Sequence, residues 1–213
     1  MTFNFLRRSQ TLLLAFILLS GCASIVRPNF QTEIVKLRPG EYTLDPAHAA
    51  LIFKVDHLEL STYVGRFNAF DATLDFDPDD LAATRLNGIV DMTSMDTNNR
   101  DLEDTIKGSD WFDVEQFPQA TFSTTDVRVL DDSRFVFNGD LTFRGITAPI
   151  LLTATFNGGA DNILTGKYTL GFTATGSFKR SDYGMDKFAG IIGDDIFLEL
   201  FAEFLRDQEA GQE

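Results

Sequence analysis

Apolar and polar residues alternate one for one along most of this chain, which is the period of a strand with one buried face. In residues 49–58, Leu51, Phe53, Val55 and His57 share a face, and Lys54 and Asp56 point the other way. In residues 64–76, Phe70, Ala72, Leu74 and Phe76 oppose Asp71, Thr73 and Asp75. Residues 85–95 align Leu86, Gly88, Val90 and Met92. Phe135, Phe137, Gly139, Leu141 and Phe143 form the next set, and Ile146, Ala148, Ile150, Leu152, Ala154 and Phe156 the one after. Leu164, Tyr168, Leu170, Phe172 and Ala174 follow, and Ile196, Leu198, Leu200, Ala202 and Phe204 close the series. Turn signals separate these runs: Asp77-Pro78-Asp79-Asp80, Leu130-Asp131-Asp132-Ser133 and Asn157-Gly158-Gly159. Antiparallel strands with one apolar face and short turns predict an all-β sandwich or up-and-down barrel. Eight or so strands fit a barrel wide enough to hold a small ligand.

One stretch departs from this period. In residues 98–108, Leu102 and Ile106 are four apart, acids come early, Lys107 comes late and Gly108 follows. Those are start and stop signals of a short helix. Trp111, Phe112 and Phe117 come next, and Pro118 leads into the following strand. A helix and aromatic loop beside a barrel are expected to cap one mouth.

The N-terminus carries a different message. Arg7 and Arg8 precede the apolar run of residues 11–19, then come Ser20, Gly21 and Cys22. A basic region, a short apolar core and small residues describe a secretory signal peptide, and the core is too short for an ordinary membrane span. Leu19-Ser20-Gly21-Cys22 resembles the bacterial lipobox, in which the cysteine is acylated with fatty-acyl chains such as palmitate and becomes the new N-terminus. Cys22 is the chain's single cysteine. The expected organisation is a lipoprotein signal peptide over residues 1–21, a lipidated tether over 22–40, the barrel over 41–206 and a polar tail over 207–213. Several acyl chains give firm anchoring where one is marginal. The expected address is the cell envelope, facing the periplasm, with Ala23 after the cysteine favouring the outer membrane.

Composition narrows the function. The 213 residues hold 32 acids against 18 Lys and Arg, a net formal charge of −14. Such a surface repels phosphate backbones, so nucleic acid is excluded as a partner. One Cys and two His leave little for a zinc or iron–sulfur site, and no metal or cofactor is expected. There is no nucleophile elbow, zincin helix, P-loop or dinucleotide fingerprint, and the acid run over residues 75–80 lacks the Gly and Glu of a calcium loop. No catalytic set is expected. The unusual count is 21 Phe, against 4 Tyr and 1 Trp. That much aromatic hydrocarbon either fills a large core or lines an apolar cavity.

Strand parity places Phe53, Val55, Phe70, Leu74 and Val90 toward the interior, with Phe137, Leu141, Phe143, Leu152 and Phe172 joining them from later strands. With Trp111 of the loop, these are the expected apolar lining. His57 ends the first apolar face, either as a polar group at a cavity mouth or as a core histidine. His48 follows Asp45-Pro46 and is expected to be a hydrogen-bonded structural residue. Arg144 sits in a turn with Gly145, where it either greets a ligand headgroup or holds strand ends together.

Several segments carry a family likeness. Tyr42-Thr43-Leu44-Asp45-Pro46-Ala47-His48 and Phe53-Lys54-Val55-Asp56-His57-Leu58 resemble the opening of the YceI-like family. Gly65-Arg66-Phe67, Phe76-Asp77-Pro78, Arg100-Asp101 and the run from Trp111 through Phe117-Pro118 to Phe122 resemble its middle. Gly139-Asp140-Leu141-Thr142-Phe143-Arg144-Gly145 and Arg180-Ser181-Asp182-Tyr183-Gly184-Met185 resemble its end. The resemblance implies an extended lipocalin-like antiparallel barrel whose interior holds a long-chain polyisoprenoid or similar amphiphile, with no catalytic residues. Ala49 and Thr105 depart from the pattern, standing where the family commonly has serine and histidine, so headgroup preference is open.

The expected function is therefore binding, sequestration or transport of an isoprenoid, isoprenoid quinone or fatty-acyl compound. The rival is an envelope interaction or structural protein with a filled core. The sequence leaves open whether two chains pair to enclose one ligand.

Overall fold

The structure, a computed structural model, describes residues 29–207. Ten strands run in chain order: β1 Gly40–His57, β2 Ser61–Phe67, β3 Phe70–Phe76, β4 Arg85–Asp91, β5 Met95–Asp96, β6 Gln119–Val129, β7 Arg134–Phe143, β8 Ile146–Asp161, β9 Tyr168–Lys179 and β10 Ile192–Arg206. Eight of them close an antiparallel barrel in the order β1-β10-β9-β8-β7-β6-β4-β3 and back to β1. The eight-stranded barrel expected from the alternation is the fold observed.

The 18-residue β1 is the seam that makes the barrel long. Its first residues, Gly40–Thr43, pair with β3, and its second half, Leu51–His57, pairs with β2, while β10 follows it along nearly its whole length. Residues 64–76, expected as one strand, are two. The chain turns at Asn68, whose N–H donates to the Ser94 carbonyl at 3.1 Å, and the inward positions slip by one across the break, from Gly65 and Phe67 to Phe70, Ala72 and Leu74. Leu164, expected on an inner face, is 89% exposed in the turn between β8 and β9, where Asn162 accepts from the Leu164 N–H.

Between Leu44 and Ala49 the β1–β10 ladder slips, and Asp45-Pro46-Ala47-His48 bulges out opposite Glu203. Asp45 builds the bulge: it accepts from the Ala47 N–H at 3.0 Å and meets His48 Nδ1 at 2.9 Å. The hydrogen bond to Asp45 raises the His48 pKa, and the same bond lowers that of Asp45. The histidine's stabilisation is full below its ordinary pKa of about 6.5 and fades as pH rises through the raised value. The aspartate's is full above about 4 and fades as pH falls through the lowered one. The bulge is thus held best between about pH 4 and 6.5. Proton NMR of the His48 ring is expected to titrate above 6.5, and Asp45→Asn to bring it back. An unmoved midpoint would mean that the pair does not persist in solution.

One pole of the barrel is closed by the segment before β1. Gln31 and Gly159 exchange two backbone hydrogen bonds of 2.7 and 2.8 Å, and Ile34 and Leu37 are buried in the lower core with Tyr42, Phe76 and Leu170. Arg38 forks onto Asp161 at 2.7–2.8 Å and stacks 4.2 Å from the Tyr168 ring. The tether expected over residues 22–40 is therefore shorter, because residues from Gln31 onward are part of the barrel. The signal peptide, Cys22 and residues 208–213 lie outside the described residues, while Asp207 donates its N–H to the Glu41 carbonyl.

The opposite pole is capped. Helix α1, Arg100–Lys107, is the one α-helix among the described residues. Asn99 caps it by accepting from the Leu102 N–H, one of the first-turn donors, and Glu103 accepts from the Thr97 N–H at 2.8 Å, which ties the helix to the chain that leads into it. The following turn carries Phe112 against Phe67 and Phe143, with ring centroids 6.2 and 5.3 Å apart. The helix and aromatic loop cap one mouth, as their sequence signals predict.

Candidate ligand-binding cavity

Two apolar chambers lie between the inner faces of the barrel. The upper chamber, about 340 Å³, lies under α1 and opens at the capped pole. Its walls come from Leu51, Phe53 and Val55 of β1, Phe67 of β2, Phe143 of β7 and Leu198 of β10, and its roof from Leu102, Ile106, Trp111 and Phe112. The lower chamber, about 130 Å³, reaches toward the closed pole between Phe70, Leu74, Phe137, Leu152 and Phe172. Leu51, Val90, Ala120, Leu141 and Leu198 line both, and so form the waist between them.

Aromatic contacts set the upper wall. Phe53 lies on Phe67 at 5.6 Å, and Phe143 touches Phe178 and Tyr183 at 6.3 and 5.6 Å. Phe53 spreads over Gly65, its cross-strand partner, where an added Cβ would fall 2.3 Å from the ring. Burial pushes the Tyr183 phenol up to about 12, and its hydroxyl has only a long, 3.5 Å contact with the Leu141 carbonyl. The surroundings are therefore strongly apolar.

Polar groups of the upper chamber gather toward the mouth: His57, Tyr63, Thr105 and Arg180. Three are already engaged. The Tyr63 hydroxyl donates to the Thr97 carbonyl at 3.4 Å. Thr105 Oγ1 donates to the Asp101 carbonyl at 2.8 Å, within α1. Arg180, 3% exposed, donates to the carbonyls of Met185, Lys187, Ile192 and Gly193 and lies 5.6 Å from the Trp111 ring. The Trp111 indole N–H is buried with no protein acceptor. What this arrangement can do is enclose a chain that has no hydrogen bonds to make, with a few polar groups at its outer end.

The profile of the YceI-like domain matches residues 42–204. The chain belongs to the YceI-like family. The UPF0312 protein Shew185_3055 of Shewanella baltica is 34% identical over 168 residues, covering 78% of this chain and 87% of that one. Among solved structures, Burkholderia cenocepacia BcnA superposes with a TM-score of 0.69 at 22% identity, over 75% of this chain and 98% of that one. A polyisoprenoid binding domain from Saccharophagus degradans superposes with a TM-score of 0.57 at 13% identity, over 80% of this chain and all of that one. At these identities the two structures speak for the barrel fold.

In this YceI-like barrel the sequence-predicted lining residues divide between the chambers. Phe53, Val55, His57, Trp111 and Phe143 face the upper one, and Phe70, Leu74, Phe137, Leu152 and Phe172 the lower. Val90 and Leu141 are at the waist. His57 is exposed, which places it at the mouth rather than in the core. Arg144 lines neither chamber. Its guanidinium donates to the carbonyls of Ser109, Tyr183 and Gly184, so it ties the aromatic loop to the turn after β9. Of the two roles open to it, it holds chain ends together.

Other lining residues were within reach of the sequence. Leu51 and Leu198 share inner faces with predicted residues, so parity alone would have added them. Met185 and Phe188 come from the irregular segment after β9, which has no period to read, and Ile192 opens β10. Away from the cavity, donor atoms of Asp45, His48 and Glu203 lie within 4.8 Å of one another at the bulge. The hydrogen-bonded turn accounts for Asp45 and His48 there.

Proposed function

We propose that this protein binds and carries a long-chain apolar ligand, a polyisoprenoid, isoprenoid quinone or fatty-acyl compound, in the bacterial cell envelope, without catalysis. The observation that carries the reading is the pair of chambers, walled by Phe, Leu and Val, with five residues lining both at the waist. A filled core, as the structural-protein reading requires, would leave no such chambers. The upper chamber lies in the range of small-molecule sites, which run from about 300 to 1,000 Å³. Each CH₂ transferred into it contributes about 0.8 kcal/mol, so the chain rather than the head supplies most of the affinity. The Trp111 N–H is the donor we assign to an oxygen on the head, and His57 lines the same chamber at its exposed end.

The family supports a ligand-binding barrel, and the name of the Saccharophagus degradans domain supports the isoprenoid class. The lipobox-like residues around Cys22 support anchoring at an envelope membrane. Native mass spectrometry of the chain purified from its bacterial host, followed by solvent extraction, tests the reading. The expected result is a bound species of a few hundred daltons that organic solvent releases and that proves to be prenyl or acyl. A clean protein mass that takes up no added isoprenoid would overturn it in favour of an interaction role.

A further inference from the structure

The rim of the upper chamber is itself apolar and faces outward. Leu60 is 83% exposed, Ile191 53%, Phe188 52% and Leu58 44%. They stand on two turns that are tied together, the β1–β2 turn and the segment before β10: Leu58 N–H donates to the Ile191 carbonyl at 3.2 Å. Leu58, Glu59 and Phe188 hold positive φ values of 61°, 56° and 56°, a conformation that bulky side chains rarely adopt. Beneath them, the four carbonyl bonds of buried Arg180 brace residues 185–193. Phe188 also lines the chamber and rests on Trp111 at 6.2 Å, so the outer patch and the cavity are one continuous apolar surface.

The described ends of the chain lie at the opposite pole. Residues before Gln31 leave from the pole where Gln31 pairs with Gly159, and residues after Arg206 leave beside Tyr42 at that same pole. Charge narrows the occupant further. The rim carries the carboxylates of Asp56, Glu59 and Asp186, and Lys187 in its loop is held by Asp110 at 2.5 Å. An anionic surface is repelled there, whereas a zwitterionic one is not.

We propose that this rim docks onto a zwitterionic lipid bilayer, so that an apolar chain passes between membrane and cavity without crossing water. The proposal rests on the carrier reading above and adds the surface through which cargo is exchanged. Geometry adds which bilayer it meets. The stretch between Cys22 and Gln31 spans at most ~30 Å when fully extended. A barrel with an 18-residue strand, tilted as barrel strands are, is ~45 Å long. With the chain anchored at Cys22, the upright mouth does not reach the anchoring membrane and faces a second one.

The test uses the full chain, reconstituted through its N-terminal end into phosphatidylcholine liposomes and mixed with fluorescent phosphatidylcholine vesicles that carry no protein. Wild type is expected to capture the second vesicles in a flotation assay, and the Leu60→Asp, Ile191→Asp double variant to capture at least tenfold fewer. Phosphatidylglycerol in the second vesicles is expected to weaken capture. Equal capture by wild type and variant, or none by wild type, would overturn the proposal. So would capture that requires protein on both vesicle sets, which would make the rim a contact between two copies. Uptake of farnesol from solution is measured on the same preparations. Farnesol uptake without capture defeats the docking surface and leaves the cavity reading standing. Capture without farnesol uptake upholds the surface and defeats the cavity reading.

Discussion

Phe53→Asp is expected to lower affinity for a prenyl ligand by roughly 100-fold or more, while His57→Ala changes it by less than about threefold. Phe53 is 8% exposed, lies against Phe67 and forms part of the upper wall. A carboxylate in its place must either stay hydrated, which keeps the chain out, or lose its water beside hydrocarbon. A difference of about 3 kcal/mol corresponds to roughly 150-fold in affinity. His57 is exposed and touches only the outer end of the chamber, where water replaces whatever bond it makes. Truncating a buried Phe costs about 3–5 kcal/mol of stability, so Val55→Asp, at a half-buried position on the same wall, is the parallel variant in case Phe53→Asp fails to fold. Trp111 is the chain's single tryptophan and lines the same chamber, so its fluorescence reads occupancy directly. Comparable losses for His57→Ala and Val55→Asp would show that the head, not the chain, dominates binding.

Most of the barrel was legible because its strands carry strict alternation. β7, for example, reads Phe135, Phe137, Leu141 and Phe143 on one side, and all four face the interior. The helix was legible from Leu102 and Ile106 four apart, its early acids, Lys107 and Gly108, while its Asn99 cap came only with the structure. Alternation does not run unbroken over residues 64–76, because the inward set is odd-numbered through Gly65 and Phe67 and even-numbered from Phe70 to Phe76, a one-residue slip that marks the turn at Asn68. Nor does it show that Ile34 and Leu37 are buried, because two apolar residues in an irregular segment have no period. The candidate site divides in the same way. Its walls come from strands and were predictable, while Arg180, Met185 and Phe188 come from a loop whose position depends on long-range hydrogen bonds. Arg144 marks a further limit. A basic residue in a turn looks the same in sequence whether it meets a headgroup or three carbonyls, and here it meets carbonyls.

The closed pole and the capped pole therefore have different tasks. At the first, Tyr42 is fully buried, donates to the Arg38 carbonyl at 2.6 Å, and has its phenol pKa pushed up by burial, so that end is sealed by packing. At the second, the seal is a short helix and a turn, Arg100–Lys107 with Trp111 and Phe112, resting on the mouth of an apolar chamber. On the proposed function, a chain would enter from the capped end and run toward the sealed one. The waist decides how much of it is accommodated.

Narrowing that waist is expected to separate long ligands from short ones. Ala120, 6% exposed, is the smallest of the residues that line both chambers, and it pairs across strands with Val90, another of them. Ala120→Phe puts a ring into the passage and leaves the upper walls in place. A ligand that ends within the upper chamber, such as farnesol, is expected to keep its affinity within about threefold. A ligand of eight prenyl units loses the lower chamber. If about four CH₂ groups rest there, the loss is about 3 kcal/mol, or roughly 150-fold. Added volume in a packed wall costs about 1–3 kcal/mol of stability, so Leu198→Phe, at a half-buried position that also lines both chambers, provides a second way of narrowing the passage. Titrations of both ligands against both variants, followed through Trp111, read the outcome. Parallel losses for the short and long ligands would mean that the chambers act as one site. Unchanged binding of the long one would mean that the chain stops above Ala120 and that the lower chamber is packing rather than binding space.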